Sequence, residues 1–190
     1  MPNWCNNNIT IRGPKKKIDA IEKAVKKGKL LNHFLPMPKQ LENTTSPTPE
    51  GSKQPVVDGY DNWYDWRVFN WGTKWEIDAY EGSIDRVNDE TVTFGFDSAW
   101  APPLNAYQAV IEKHPDISII AYYYEPGMDF AGEWSDGEDQ CITIGEEKDS
   151  FFENTALGKV LDDYYGILEN RAEWEAQTVS YTHLTLPTKA

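Results

Sequence analysis

Residues 91–124 read TVTFGFDSAW APPLNAYQAV IEKHPDISII AYYY, and this stretch sets the expected architecture of the chain. Residues 91–97 alternate polar and apolar side chains, as a strand with one buried face does. Two prolines then precede a helical pattern over 104–114, which Pro115 ends. Residues 117–124 carry the strongest strand pattern in the chain. A strand, a helix and a second strand are therefore predicted in succession.

The N-terminal part contains a similar strand and helix. Residues 6–13 alternate and stop at Gly-Pro, which predicts a strand. Pro14 is typical of a first helical position, and Gly28 of a helix end. The inward stripe of this helix comprises Ile18, Ile21 and Val25.

The middle of the chain is less regular. Residues 30–38 form an apolar connector whose prolines favour an extended backbone. Residues 43–59 are expected to be a loop or a disordered insertion. Residues 61–70 predict a short helix with Trp63 and Trp66 on one side. Gly72 would break it.

Further strands and a long helix complete the pattern. Residues 74–80 are expected to pair with 91–97, with a possible short edge segment between them. Residues 130–134 and 141–144 predict a hairpin, and 149–175 an acidic helix. The apolar stripe of that helix would comprise Phe152, Ala156, Val160, Tyr164 and Ile167 or Leu168.

The order of these elements predicts an α+β fold. Its core β-α-β-β-α-β is the ferredoxin-like split arrangement, with one antiparallel sheet, helices on one face, and an extra C-terminal hairpin and helix. We expect a domain over 1–148, which includes the 43–59 insertion, and an acidic C-terminal helix over 149–178.

The last residues differ from what precedes them. Residues 179–188, VSYTHLTLPT, match one reading frame of a transposase sequencing adaptor over ten codons. We therefore interpret 179–190 as an adaptor-derived tail and expect the natural protein to depart from this chain near Gln177. The alternative is a genuine strand, since the segment also alternates.

Composition indicates a soluble intracellular protein. Of the 190 residues, 39% are hydrophobic, enough for a core, but no run approaches the roughly 20 apolar residues of a membrane span. The N-terminus lacks the regions of a signal peptide. Cys5 and Cys141 are expected to be reduced thiols in a bacterial cytoplasm.

Charge is unevenly distributed along the chain. The net charge is −13, yet residues 1–39 hold nine basic residues against two acidic ones. Residues 40–178 hold eight basic and 29 acidic residues. An acidic face repels nucleic acid and attracts basic surfaces. The pattern favours a basic protein partner, although solubility alone would also account for it.

Aromatic residues point to recognition. The chain contains 8 Trp, 10 Tyr and 7 Phe, many of them in clusters at 63–75, 94–103 and 122–134. Trp and Tyr form rigid binding surfaces at low entropic cost. The alternative is that the indoles pack in the core. The predicted ligand- or partner-binding residues are Trp71, Lys74, Trp75, Trp100, Tyr124, Glu125, Asp129 and Trp134.

Catalytic chemistry has little support. No phosphate-binding glycine loop, Cys-x-x-Cys or His-x-x-x-His motif is present, and nothing places Cys5 beside His33 or His114. The acidic residues over 129–139 could hold a divalent cation, but a solvated turn is the simpler interpretation. No cofactor, metal or catalytic residue is predicted.

Several strings resemble a known family. They are MPNWCNN at 1–7, PMP at 36–38, NWGTKW at 70–75, FDSAWAPP at 96–103 and YYEPGMDFAGEW at 123–134. Over about residues 1–145 the chain resembles the YubB-type phage and plasmid proteins, which have a ferredoxin-like domain. The resemblance implies an accessory gene of a mobile element and supplies no catalytic residues.

Two functions therefore remain open. The first is a non-catalytic binding protein, an acidic imitation of nucleic acid that blocks a host defence or nucleic-acid-handling protein. The second is a small-ligand module, in which Trp71, Trp75, Trp100 and Tyr124 stack a nucleotide while Lys74 meets its phosphate. Neither requires membrane or direct nucleic-acid binding.

Overall fold

A computed structural model describes residues 3–184, with side-chain burial through Ala176. The strands are β1 Trp4–Arg12, β2 Asp85–Asn88, β3 Thr91–Ala99, β4 Ser118–Glu125, β5 Phe130–Ser135 and β6 Glu138–Thr143. The helices are α1 Lys15–Val25, α2 Leu30–Phe34, α3 Trp63–Trp71, α4 Leu104–Lys113, α5 Asp149–Asn154, α6 Ala156–Tyr165 and α7 Ile167–Leu184. Short 3-10 turns occupy Lys39–Leu41 and Ile144–Glu146.

The six strands form one antiparallel sheet in the order β2-β3-β1-β4-β5-β6. β1 is central and pairs with β3 and β4 along most of its length. The succession β1-α1-β2-β3-α4-β4 is the split arrangement that the sequence predicted, so the ferredoxin-like fold class is confirmed. β5 and β6 extend the sheet beyond β4 as the predicted extra hairpin.

One face of the sheet carries the core. Alternate residues of β1 are buried, and Ile9 of that strand lies between Phe94 of β3 and Ala121 of β4. The same buried cluster contains the predicted α1 stripe and residues of α2, α3 and α4. Helices α1 to α4 therefore pack on one face of the sheet. Burial of each large apolar side chain there contributes about 1.5–3 kcal/mol to the stability of the fold.

The predicted strand over 74–80 is wrong. In this segment only Ala79 forms an isolated bridge, opposite Phe96. The edge strand that pairs with β3 is β2, the short segment that the pattern had marked as possible. Glu76 explains the difference, because its carboxylate accepts hydrogen bonds from the α2 backbone rather than standing on a sheet.

The structure also corrects the predictions for residues 30–38 and 149–175. The expected extended connector over 30–38 contains α2, whose Leu30, Leu31 and Phe34 are buried. The single helix expected over 149–175 is three helices. Thr155 caps the start of α6, and Gly166 ends it in the left-handed region, so the predicted stripe is interrupted.

The chain divides into two compact units, Met1–Ile142 and Thr143–Ala190. The predicted boundary was 148/149. The interval 43–59 is a loop, as expected, in which the Gln54 amide donates to the Thr45 carbonyl at 3.1 Å. No described helix is long and apolar enough to cross a membrane. Residues 185–190 of the tail interpreted as adaptor-derived lie outside the described residues.

Candidate functional site

Exposed aromatic side chains gather around one lysine. The Lys74 ammonium lies 3.8 Å from the centroid of the Trp75 ring and 4.2 Å from that of Trp100. We call the rings of Trp75 and Trp100 the aromatic clamp, which Lys74 occupies. Trp4 contacts Trp75 at 5.7 Å between centroids, and Tyr64 meets Trp100 edge-on at 6.3 Å. The clamp, Trp4 and Tyr64 together form what we call the aromatic ridge.

The ridge is accessible to solvent. Trp4 is 47% exposed and Trp75 38% exposed, whereas Lys74, Trp100 and Tyr64 are half-buried. Each lysine–ring contact at such an exposed site is worth about 0.5–1 kcal/mol. A solvent-facing group of indoles is typical of recognition surfaces.

A tight turn brings Lys74 and Trp75 to this place. Gly72 ends α3 with a φ of 86°, a backbone conformation that glycine adopts without steric cost. A Cβ at Gly72 would lie 3.3 Å from the Pro102 carbonyl oxygen, so the two segments pack closely. The buried Thr73 hydroxyl donates to the Ala99 carbonyl at 3.0 Å. The turn after α3 is thereby fastened to the end of β3.

Trp100 holds an unusual backbone conformation. Its φ is 68°, in the left-handed region that costs a residue with a bulky side chain about 1–3 kcal/mol. Its N–H donates to the Asn3 carbonyl at 2.9 Å. The Ser98 hydroxyl donates to the Ala101 carbonyl at 2.8 Å and accepts from the Asn7 amide at 2.9 Å. These bonds hold the turn that presents the Trp100 ring.

An acidic groove adjoins the Tyr64 end of the ridge. It has a volume of about 520 Å³ and is lined by 46–48 and 61–65. The Asn62 side chain caps α3 by accepting from the Asp65 N–H, and it donates to the carboxylates of Asp61 and Asp65. Among the described residues, neither carboxylate forms an ion pair. The groove therefore offers unneutralised negative charge beside aromatic rings.

The structure brings Lys74, Trp75 and Trp100 together but buries two of the predicted site tryptophans. Trp71 is 1% exposed, and its indole N–H donates to the Leu35 carbonyl at 2.8 Å. Trp134 is 3% exposed and packs against Tyr107. For these two indoles the core interpretation applies, because both side chains are almost fully buried.

The remaining predicted site residues lie at the end of β4 and in the turn after it. Tyr124 is half-buried on the sheet face opposite the helices. Glu125 is 2% exposed, and its carboxylate accepts from the backbone N–H groups of Gly127 and Met128. Asp129 is exposed with a φ of 63°. Glu125 therefore orders the β4–β5 turn.

Carboxylates of the 129–139 stretch have structural partners. Asp136 accepts from the Ile119 N–H at 2.7 Å and from the Ser118 hydroxyl at 2.8 Å. Asp139 accepts from the Tyr123 hydroxyl at 2.6 Å. Within the described part of the chain, no group of three metal-ligating side chains is found.

Cys5 is buried, and both cysteines are free. Burial raises the pKa of the Cys5 thiol to about 12, which keeps it protonated and unreactive. The thiol therefore has the character of a core group.

The pKa of His33 is lowered by burial and by the nearby positive charges of His114 and Lys113.

Sequence reasoning missed the residues that complete the ridge. Trp4 lies outside the strand predicted over 6–13, and because it precedes buried Cys5 in β1 it points to the opposite sheet face. Tyr64 carried a signal as part of the 63–75 cluster. Asn3, Asn7 and Ser98 carried none, because a turn held by distant side chains has no local pattern.

A match to a family model supports the ferredoxin-like fold. Residues 79–161 match the family model described as "Ferredoxin-like domain in Api92-like protein". The crystal structure of a protein api92 from Yersinia pseudotuberculosis is similar at 11% identity. That similarity covers 77% of this chain and 96% of that one, with a TM-score of 0.44. No curated protein matches the sequence. The YubB-type relationship stays a prediction.

Proposed function

We propose that this chain is a non-catalytic binding protein that grips a partner protein with a basic surface. The carrying observation is the aromatic ridge, which adjoins a groove whose carboxylates form no ion pair within the described part of the chain. Aromatic anchors inside a charged rim are the usual composition of an interface hot spot. The net charge of −13 would speed association with a basic partner and disfavour direct nucleic-acid binding.

The resemblance to mobile-element proteins suggests the biological setting. We infer that the partner is a host or phage protein that handles nucleic acid or takes part in defence, and that the two meet in the bacterial cytoplasm. An acidic protein occupying a basic nucleic-acid site would act as an inhibitor. No step in this function requires a cofactor, metal or membrane.

Affinity capture from bacterial lysate tests the proposal. The bait is the full chain, compared with a Trp75→Ala/Tyr64→Ala variant and with Trp174→Ala as the matched control. Trp174 is 70% exposed and lies on α7, outside the ridge. We expect a specific protein to be retained by the parent and the control, lost by the ridge variant, and released as salt rises.

Two results would count against the proposal. One is capture that is insensitive to both the ridge variant and salt, and the other is no partner in lysates of several hosts. A nucleotide that raises the melting temperature in proportion to its concentration would instead favour the small-ligand alternative. That alternative is less favoured for two reasons. The Trp71 ring is buried and cannot stack on a nucleotide, and the Lys74 ammonium that would meet the phosphate already contacts two indoles.

A further inference from the structure

The contact of the Lys74 ammonium with two indole rings has no role assigned so far. Its ammonium is in contact with two indole faces, and no described carboxylate pairs with it. We propose that Trp75 and Trp100 form a cation-binding clamp, which Lys74 fills in the free protein. A guanidinium or alkylated ammonium from a side chain of the partner takes its place on binding. The inference rests on the proposed function and names the chemical group recognised there.

The ring arrangement selects for a cation. The face of an indole carries negative potential, and Trp attracts cations more strongly than Tyr or Phe does. Here two such faces converge on one charge, at 3.8 and 4.2 Å from their centroids. Pairs or cages of aromatic rings of this kind recognise quaternary ammonium groups, and guanidinium planes stack on the same faces.

The turn that carries Trp100 is built for this position. A left-handed backbone at tryptophan is costly, and it persists only where surrounding contacts enforce it. Such contacts are the hydrogen bonds from the Trp100 N–H to Asn3 and from Ser98 to Ala101. Strained residues of this kind cluster at ligand clamps. In this conformation the face of the Trp100 ring lies against the Lys74 ammonium.

Lys74 is suited to leaving the clamp. Its four-carbon stem is flexible, and the two ring contacts lie at a partly solvent-exposed site where each is weak. An external cation can bind only those molecules in which Lys74 has left the clamp. Its apparent affinity is therefore the intrinsic affinity multiplied by the fraction of molecules with an empty clamp. On this basis we expect self-occupancy to weaken binding by about tenfold.

The acidic groove beside the ridge favours a cationic side chain from a protein as the bound group. The carboxylates of Asp61 and Asp65 line the groove at the Tyr64 end of the ridge, and neither forms an ion pair with a described residue. A basic surface that approaches this groove would carry arginine or lysine side chains toward Trp100. Attraction between opposite charges then brings the visiting cation to the clamp.

Choline tests the clamp without any knowledge of the partner. Its uncharged isostere, 3,3-dimethylbutan-1-ol, is the control ligand, and the indole N–H signals of Trp75 and Trp100 in nitrogen-15 NMR spectra report binding. We expect Lys74→Ala to bind choline about tenfold tighter than the parent and the alcohol not detectably. Lys74→Ala/Trp75→Ala should lose choline binding, with spectral dispersion confirming that each variant is folded.

Equal choline affinity in the parent and Lys74→Ala would overturn the inference, as would equal binding of the alcohol. N-acetylarginine amide and N-acetyltrimethyllysine amide, tested in parallel, show which cation the clamp prefers. Failure of the choline test leaves partner capture by the ridge intact. Conversely, choline binding together with absent partner capture would remove the proposed function and keep the clamp.

Discussion

At the scale of single residues, one half-buried carboxylate links two parts of the fold. Glu76 accepts from the Leu31 N–H at 2.5 Å and the Asn32 N–H at 3.0 Å, which are otherwise unsatisfied donors in the first turn of α2. The segment that carries Glu76 also carries Lys74 and Trp75. This cap therefore anchors the approach to the aromatic clamp.

Glu76→Ala should lower the free energy of unfolding. The N–H of buried Leu31 and that of exposed Asn32 would lose their acceptor, and a buried donor left unsatisfied costs about 1–3 kcal/mol. Glu76→Gln keeps one amide oxygen as acceptor and should cost less. Urea unfolding followed by circular dichroism measures both, and equal stability of all three proteins would contradict the cap.

The same carboxylate gives a pH-dependent contribution. Burial raises the pKa of Glu76 above its ordinary value of 4.5, so the folded state binds a proton more readily than the unfolded state. The resulting stabilisation is complete below pH 4.5 and is lost as the pH rises through the folded-state pKa. We expect the stability of the parent relative to Glu76→Gln to increase from pH 7 toward pH 4.5. A difference that is constant with pH would contradict this expectation.

At the scale of elements, the added hairpin depends on close strand contact. A Cβ at Gly132 in β5 would clash with the Tyr123 hydroxyl and lie 2.6 Å from the Gln140 carbonyl oxygen. At Gly95 in β3, a Cβ would meet the ring of Tyr80 at 2.9 Å, and that ring is 36% exposed. The first site is closed by backbone and a buried ring, and the second by a side chain at the surface.

Gly132→Ala should therefore destabilise the protein more than Gly95→Ala. Overpacking in a closed site costs about 1–3 kcal/mol, whereas the Tyr80 ring can shift toward solvent at a smaller cost. Thermal unfolding of the two variants against the parent gives the comparison. A smaller effect at Gly132 would mean that β6 moves away freely.

The break between α5 and α6 depends on a cap. The Thr155 hydroxyl accepts from the Gly158 N–H at 2.9 Å. Thr155→Ala should cost about 0.5–2 kcal/mol, and Thr155→Ser should retain most of the stability, because serine also caps helices. Denaturant unfolding monitored by helical circular dichroism measures the difference, and equal losses in the two variants would rule out the hydroxyl cap.

At the scale of the whole molecule, the core lies within one unit. The hydrophobic cluster runs from Cys5 to Trp134, inside Met1–Ile142, and all tryptophans except Trp174 belong to that unit. A fragment of residues 1–148 should therefore fold and keep the near-ultraviolet circular dichroism of packed indoles. A fragment without cooperative unfolding would show that the second unit is required for the first to fold.

Local pattern was sufficient for much of the fold. Alternation predicts β1, β3 and β4, and the α1 stripe and the glycine after α3 predict two helices. These signals are local, because apolar side chains recur two residues apart in strands and three or four apart in helices. The segment over 74–80 also alternates, yet it is not a strand. Its Glu76 accepts hydrogen bonds from the N–H groups of Leu31 and Asn32, which lie 45 and 44 positions away.

The composition alone established that the chain is acidic and rich in aromatic residues, and the spacing of its apolar positions established a split βαβ sheet. Which indoles reach solvent was settled in three dimensions. Trp71 and Trp75 stand four positions apart, and one is sealed against Leu35 while the other faces outward beside Lys74. Burial depends on the distant chain that covers each ring, and that information is absent from any local window of sequence.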